Sequence, residues 1–247
     1  VHLEGVSDAA KLYEIIAVKP GLEAGALYIT PPNEAVWAGL TLTINAVAPS
    51  ALVDYFAKHT QAMDAYLEHL ATALPQGSLK NWIIALDTAN GATAKISRVV
   101  LERLGAVVKQ IGDASGNQLI NEGVGSEIPQ RLSSLVRETN ARLGIAHDGD
   151  GDRVIFCDEK GEVAEGDCIL GILAIDAKRR GVPGSAALVT TDYANYGLNQ
   201  SLAKREITVE RTGVGDRCVA ARMREIGAAV GGEPSGHLIL SEWSPFG

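Results

Sequence analysis

The chain has 247 residues, 46% of them hydrophobic and 21% charged, which is enough apolar material to bury a substantial core as one large domain or two to three small ones and excludes disorder as the default. Its formal net charge is −8 and no lysine/arginine cluster forms a stripe, which argues against nucleic acid and anionic membrane as partners and makes any anionic substrate dependent on local positive charge. Cys157, Cys168 and Cys218 are an odd number, far apart and without metal-ligand spacing, so neither a disulfide framework nor a zinc site is expected, and a reducing cytoplasm is. No apolar stretch reaches membrane-span length, and the first residues have neither a basic start nor a signal-peptide core.

Residues 1–50 hold short apolar runs, such as Ala26-Leu27-Tyr28-Ile29, but too few elements for a complete α/β domain. Met63, Tyr66, Leu67, Leu70 and Leu74 recur at helical spacing, which predicts a helix with a core-packing stripe, and Pro75-Gln76-Gly77-Ser78 ends it as a linker would. From Trp82 the pattern is regular. Trp82 to Leu86 predicts a buried strand and Asp87-Thr88-Ala89-Asn90-Gly91 breaks it; a helix then carries Val99, Val100, Leu101 and Leu104 as far as Gly105, and Ala106-Val107-Val108 opens a second strand. Beyond the glycine-rich loop Gly112 to Gly125, Leu132, Leu135 and Val136 mark a helix. Leu143 to Ala146 then marks a strand whose C-terminal end is where open α/β sheets bind ligands.

That strand leads into His147-Asp148-Gly149-Asp150-Gly151-Asp152-Arg153. Carboxylates at alternate positions repel and resist ionising unless a cation sits among them. The intervening glycines let the backbone turn so that the three aspartates converge. Oxygen-only ligation suits a hard divalent ion, and so few carboxylates favour Mg²⁺ completed by water and a substrate phosphate. A plain solvated acidic turn explains the pattern less well. A calcium EF-hand would use Asp148, Asp150, Asp152 and Glu159 as its first, third, fifth and twelfth positions, but its sixth-position glycine is Arg153, and the flanks Leu143 to Ala146 and Val154 to Cys157 read as strands rather than helices.

A second α/β segment is expected from about Gly166, after the turn-rich Asp158 to Gly161. Cys168 to Leu173 leads into a helix that ends at Lys178-Arg179-Arg180-Gly181, a basic last turn with a glycine stop. Strands at Ala186 to Val189, Ile207 to Val209, Ala228 to Val230 and Leu238 to Leu240 alternate with helices around Leu198 to Ala203 and Val219 to Ile226, and no internal repeat is strong enough to name. Two further loops could carry chemistry. Gly231-Gly232-Glu233-Pro234-Ser235-Gly236-His237 can hydrogen-bond vicinal sugar hydroxyls, with Glu233 accepting, Ser235 bridging and His237 donating, although a plain turn fits about as well. Arg211-Thr212-Gly213-Val214-Gly215-Asp216-Arg217 could expose amides to a phosphate, with a simple strand-to-helix turn as the stronger alternative. There is no GxxxxGK[ST] phosphate loop and no GxSxG elbow.

The order of the Asp148-to-Arg153 loop, the Thr212-to-Arg217 loop and the Gly232-to-His237 loop resembles the α-D-phosphohexomutase superfamily, with a DGDGDR metal loop in its second domain and a GExSGH sugar loop in its third. Leu86 to Ala92, Ile120 to Ser126, Leu143 to Ala146 and Arg211 to Arg217 are most similar to its phosphoglucosamine mutase branch. The resemblance implies consecutive mixed α/β domains: an incomplete first domain and linker helix at 1–77, a second domain with the metal loop at 78–165, and a third with the sugar loop at 166–247, with the fourth domain absent. It implies a Mg²⁺-dependent mutase that moves phosphate between the 1- and 6-positions of a hexose phosphate, glucosamine phosphate above all, through a phosphoserine and a bisphosphorylated sugar. Carried over, Asp148, Asp150 and Asp152 hold the metal, Arg153 is catalytic, and Thr212, Gly213, Arg217, Glu233, Ser235 and His237 bind substrate. The expected partners are a hexose phosphate and either further copies of the chain or domains supplied by a full-length protein. In the counterpart of the family's first-domain serine loop, Ile29 to Leu40, no nucleophilic serine stands and Thr30 is not assigned that role. The alternatives are therefore a phosphosugar-binding pseudo-mutase or, since Asp148-x-Asp150 after a strand is similar to its nucleophile pair, a haloacid-dehalogenase-like phosphatase.

Overall fold

The computed structural model describes residues 63–115 and 118–244; the expected runs within residues 1–50, including the Ile29 to Leu40 loop and Thr30, lie outside them. The account that follows concerns the compact unit Tyr66–Gly247. The first sheet is built from β1 (Ile83–Asp87), α1 (Ile96–Arg103), β2 (Val107–Ile111), α2 (Pro129–Thr139), β3 (Leu143–His147), β4 (Val154–Cys157) and β5 (Val163–Ala164). Its strand order is β2-β1-β3-β4-β5, with β1 parallel to both β2 and β3 and the last two strands antiparallel. Strand alternation sends Ile84 and Leu86 of β1 to a cluster with Ala106 and Val108, and Ala85 to the opposite cluster, where Leu132 and Val136 of α2 cover Ala146 and Cys157. Gly144 allows this second layer to sit close. A methyl group there would press to 2.7 Å from Val136 Cγ2 and 3.1 Å from Leu132 Cγ.

The second sheet follows α3 (Gly166–Arg180), whose basic last turn ends in the left-handed Gly181 as the sequence predicts. It comprises β6 (Ala187–Thr191), α4 (Tyr196–Ala203), β7 (Thr208–Thr212), α5 (Asp216–Ile226), β8 (Val230–Gly232) and β9 (Leu238–Leu240), in the order β7-β6-β8-β9. Again the first three strands are parallel and the last is antiparallel. The two sheets are therefore wound alike, a repeat of topology that the residues do not repeat, because any apolar side chain of suitable size satisfies the alternation. In both, the hairpin after the third parallel strand leaves the C-terminal edge: residues 148–153 in one, 233–237 in the other.

Several elements differ from expectation, and three of the differences have a clear cause. β7 runs on to Thr212 because Arg211 and Thr212 pair with Thr190 and Thr191 of β6, and their polar side chains hide the strand from an apolar pattern. β8 begins at Val230 rather than Ala228, since the amides of Ala228 and Ala229 go to the carbonyls of Met223 and Gly184 and not to the ladder. Of the predicted 63–74 stripe, Leu67 is buried and Leu70 half-buried, whereas Met63, Tyr66 and Leu74 are exposed, so only part of the stripe packs. No helix among the described residues is long and apolar enough to cross a membrane.

The three thiols make this packing testable. Cys157 is fully buried, and burial raises its thiol pKa, whereas Cys168 and Cys218 are exposed. Because the thiolate is the reactive form, iodoacetamide should modify Cys168 and Cys218 in the native protein and spare Cys157 until denaturant is added, as read by peptide mass spectrometry.

Candidate active site

The acidic loop is shaped by its own first aspartate. Asp148 is 3% exposed; its Oδ1 accepts from the amides of Gly151 (3.2 Å) and Arg153 (3.1 Å), and its Oδ2 accepts from Arg153 Nε at 2.9 Å. These three bonds fold the loop back on itself. Carboxylate oxygens of Asp148, Asp150 and Asp152 come within 4.8 Å of one another. Strands β3 and β4 flank the loop, which completes the case against an EF-hand.

Neighbouring loops hold this hairpin from below. Asp87, fully buried at the end of β1, accepts from the amides of Ala89 (2.9 Å) and Gly125 (2.8 Å), and burial raises its pKa against those two bonds. The amide of Ala92 donates to the Gly149 carbonyl at 2.9 Å. Gly91 is required at this approach, since a methyl there would overlap that carbonyl. Asn121, held at φ 62° with its amide on the Ala89 carbonyl, joins Ile120, Asp148, Gly149, Asp150, Asp152 and Arg153 around a cleft of about 430 Å³.

Charge in the cleft is unevenly balanced. Burial pushes the Asp148 carboxyl up, but the Arg153 amide, the Asp152 carboxyl and the Arg153 guanidinium outweigh it and hold its pKa below the ordinary value. Asp152 is raised, first by burial and then by its hydrogen bond to Asp148 and the charges of Asp148 and Asp150, with His237 opposing. One arginine, bonded to Asp148 at 2.9 Å and 3.7 Å from Asp152, thus faces three aspartates, and the remaining negative charge is what a divalent ion would neutralise. Three hard oxygen donors within reach of one point fit Mg²⁺.

The second sheet's hairpin reaches the same place. The Glu233 amide donates to the His237 carbonyl (2.8 Å) and the Gly236 amide to the Glu233 carbonyl (3.0 Å), closing a tight turn, and the Gly236 carbonyl accepts from the Val154 amide at 3.0 Å. His237, 7% exposed, lies with Nδ1 3.6 Å from Asp152 Oδ2. The structure therefore brings Asp148, Asp150, Asp152, Arg153 and His237 together. Glu233 instead faces the next loop, its Oε1 accepting from the Gly215 amide at 3.0 Å, and Ser235 is exposed at the tip. Thr212 donates to the Gly213 carbonyl (2.9 Å), and Arg217 is exposed; these three residues make no hydrogen bond or ion pair with the acidic loop among the described residues. Asp87, Asn121 and Glu127 were not singled out from the sequence, although the first two stand inside the Leu86 to Ala92 and Ile120 to Ser126 stretches that did carry the resemblance.

Residues 64–161 match the phosphoglucomutase/phosphomannomutase alpha/beta/alpha domain II, and residues 165–245 match domain III of the same family. The chain belongs to that family. It is 44% identical over 216 residues to the phosphoglucosamine mutase of Maricaulis maris, covering 83% of this chain and 48% of that protein. With the phosphoglucosamine mutase of Phenylobacterium zucineum it shares 45% identity over 183 residues, 74% of this chain and 41% of the relative. The crystal structure of a putative phosphomannomutase from Thermus thermophilus has the same fold, with a TM-score of 0.64 at 23% identity, over 74% of this chain and 43% of that one. The chain spans less than half the length of each of these relatives. As a phosphoglucomutase/phosphomannomutase family chain it carries the acidic loop in domain II and the Glu233 to His237 loop in domain III.

His147, the residue before Asp148, gives the site a pH signature. Its Nε2 lies 3.1 Å from Ser97 Oγ of α1, and burial, outweighing the nearby Asp148 charge, holds its pKa below 6.5. A histidine with a depressed folded pKa contributes stability that is present above its unfolded pKa and lost as pH falls through the folded value. In metal-free buffer, the urea midpoint of the wild type should therefore fall relative to that of His147→Phe as pH is lowered from about 7 to about 5; parallel profiles would contradict the assignment.

Proposed function

We propose that this chain carries the metal and sugar-binding parts of a Mg²⁺-dependent phosphosugar mutase, which moves phosphate between the 1- and 6-positions of a hexose phosphate through a phosphoserine and a bisphosphorylated sugar. The observation that carries the reading is the meeting of two hairpins: the acidic loop with Arg153, and the His237 loop held to it through Val154 and Gly236. The names of the relatives support glucosamine phosphate as the substrate, and the proposed domain limits are 78–165 and 166–247, in a cytoplasmic protein.

In this reading Asp148, Asp150 and Asp152 hold Mg²⁺, which would supply positive charge to the phosphoryl oxygens in transfer. Arg153, which lines the cleft and keeps its Nε on Asp148, would stabilise the phosphoryl charge with its outer nitrogens; phosphoryl transfer asks a protein for little beyond such positioning and charge. Glu233 and Ser235 grip sugar hydroxyls, His237 donates to a sugar oxygen, and Thr212, Gly213 and Arg217 line the approach from domain III. No described residue is assigned the phosphoserine role. Asp148 is a poor nucleophile for the phosphatase alternative, since both its oxygens are engaged and it is buried.

The test is ³¹P NMR of the protein with glucosamine 6-phosphate, Mg²⁺ and a trace of the 1,6-bisphosphate. Appearance of the 1-phosphate, slowed about 10²- to 10³-fold in Arg153→Ala, supports the mutase. Release of inorganic phosphate with label trapped on Asp148 would establish the phosphatase. Phosphosugar binding with no turnover, in the full-length protein as well as in this chain, would establish the binding module.

A further inference from the structure

Arg153 has two hydrogen-bonded anchors of very different strength, with Asp152 Oδ1 farther off at 3.7 Å from Nε. The inner one is Nε on the buried Asp148 at 2.9 Å, where the carboxylate's side chain is 4% exposed. The outer one is a single oxygen of Glu127, Oε1, which receives both terminal nitrogens of the guanidinium at 3.4 Å, from a side chain 68% exposed. A guanidinium normally offers its two terminal N–H groups to two oxygens of a carboxylate or phosphate in parallel, at clearly shorter distances. Here the two terminal nitrogens of the fork share one distant oxygen, while Nε on Asp148 fixes the inner end of the guanidinium. The proposed function gives that fork a phosphoryl group to hold.

We infer that Glu127 is a placeholder: it occupies the terminal nitrogens of Arg153 until a substrate phosphoryl group displaces it, and thereby sets how tightly the site takes a phosphosugar. The inference rests on the mutase reading for the identity of the ligand. Its physical basis is the imbalance itself. The buried bond to Asp148 keeps the guanidinium in place when Glu127 leaves, and Glu127, already largely hydrated, returns to water at little cost. A phosphoryl oxygen pair, bearing more charge and matching the fork's geometry, replaces one long shared contact with two short ones. Glu127 stands outside the aspartate triad and is not one of the carboxylates that could hold the ion.

The experiment titrates glucosamine 6-phosphate into the full chain in saturating Mg²⁺ by calorimetry, for wild type, Glu127→Gln and Glu127→Asp. Because exposed ion pairs contribute so little, the expected gain in Glu127→Gln is about two- to fivefold in affinity. Glu127→Asp keeps the charge but withdraws the carboxylate by one methylene, so it should also bind more tightly than wild type, by a smaller factor. Mg²⁺ affinity should be the same in all three. If Glu127→Asp matches wild type while Glu127→Gln gains, the effect is one of distant charge and the placeholder is overturned. Unchanged or weaker binding in both variants overturns it as well, and leaves the mutase reading standing as long as wild type binds. Absence of phosphosugar binding by all three proteins would sink both.

Discussion

Three carboxylates confined within 4.8 Å of one another form the constraint around which the described structure is arranged. Such a cluster is unfavourable by itself, and the protein compensates it only in part. Asp148 receives two amides and a guanidinium nitrogen, while Asp150 and Asp152 are exposed and line the cleft. The supporting contacts lie beneath the loop rather than above it: Ala92 on the Gly149 carbonyl, Asp87 tying Ala89 to Gly125, and Asn121 on Ala89. These contacts set the shape of the loop from its own backbone, and a preset electrostatic site avoids reorganisation at the moment of reaction.

The second consequence comes from repeated topology. Each sheet winds three parallel strands and then turns back through a hairpin at its C-terminal edge. In one sheet this hairpin holds the aspartates, and in the other it holds Glu233, Ser235 and His237. The Val154–Gly236 backbone bond and the His237–Asp152 approach bring these equivalent hairpins together, so His237 of the second sheet stands beside Asp152 of the first. The sharing of Glu233 with the Gly215 amide extends the same surface to the Thr212-to-Arg217 loop. That loop stands at the edge of the described site rather than within it.

Much of this was legible in the residues. Continuous apolar runs such as Ile83 to Leu86 and Leu188 to Val189 announce buried strands, and Gly181 announces a helix end, because both depend on local chemistry. The acidic loop was legible for the same reason, since spacing of like charges within six residues needs no tertiary information. What stayed hidden depends on contacts distant in sequence. The strand at Arg211 and Thr212 exists through its partners on β6, and the amides of Ala228 and Ala229 are captured by Met223 and Gly184 before a strand can begin. Glu127 reads as an ordinary surface acid until Arg153, 26 positions away, is seen beside it.

The central claim is that the triad is a cation site. Calorimetric titration of Mg²⁺ into the wild-type protein and into Asp150→Asn and Asp152→Asn, the two exposed members whose removal leaves the Asp148–Arg153 bonds intact, tests it most directly. The account predicts a single site per chain, weakened at least about tenfold in each variant. Mg²⁺ uptake that is the same in all three proteins, or absent from the wild type, would contradict it.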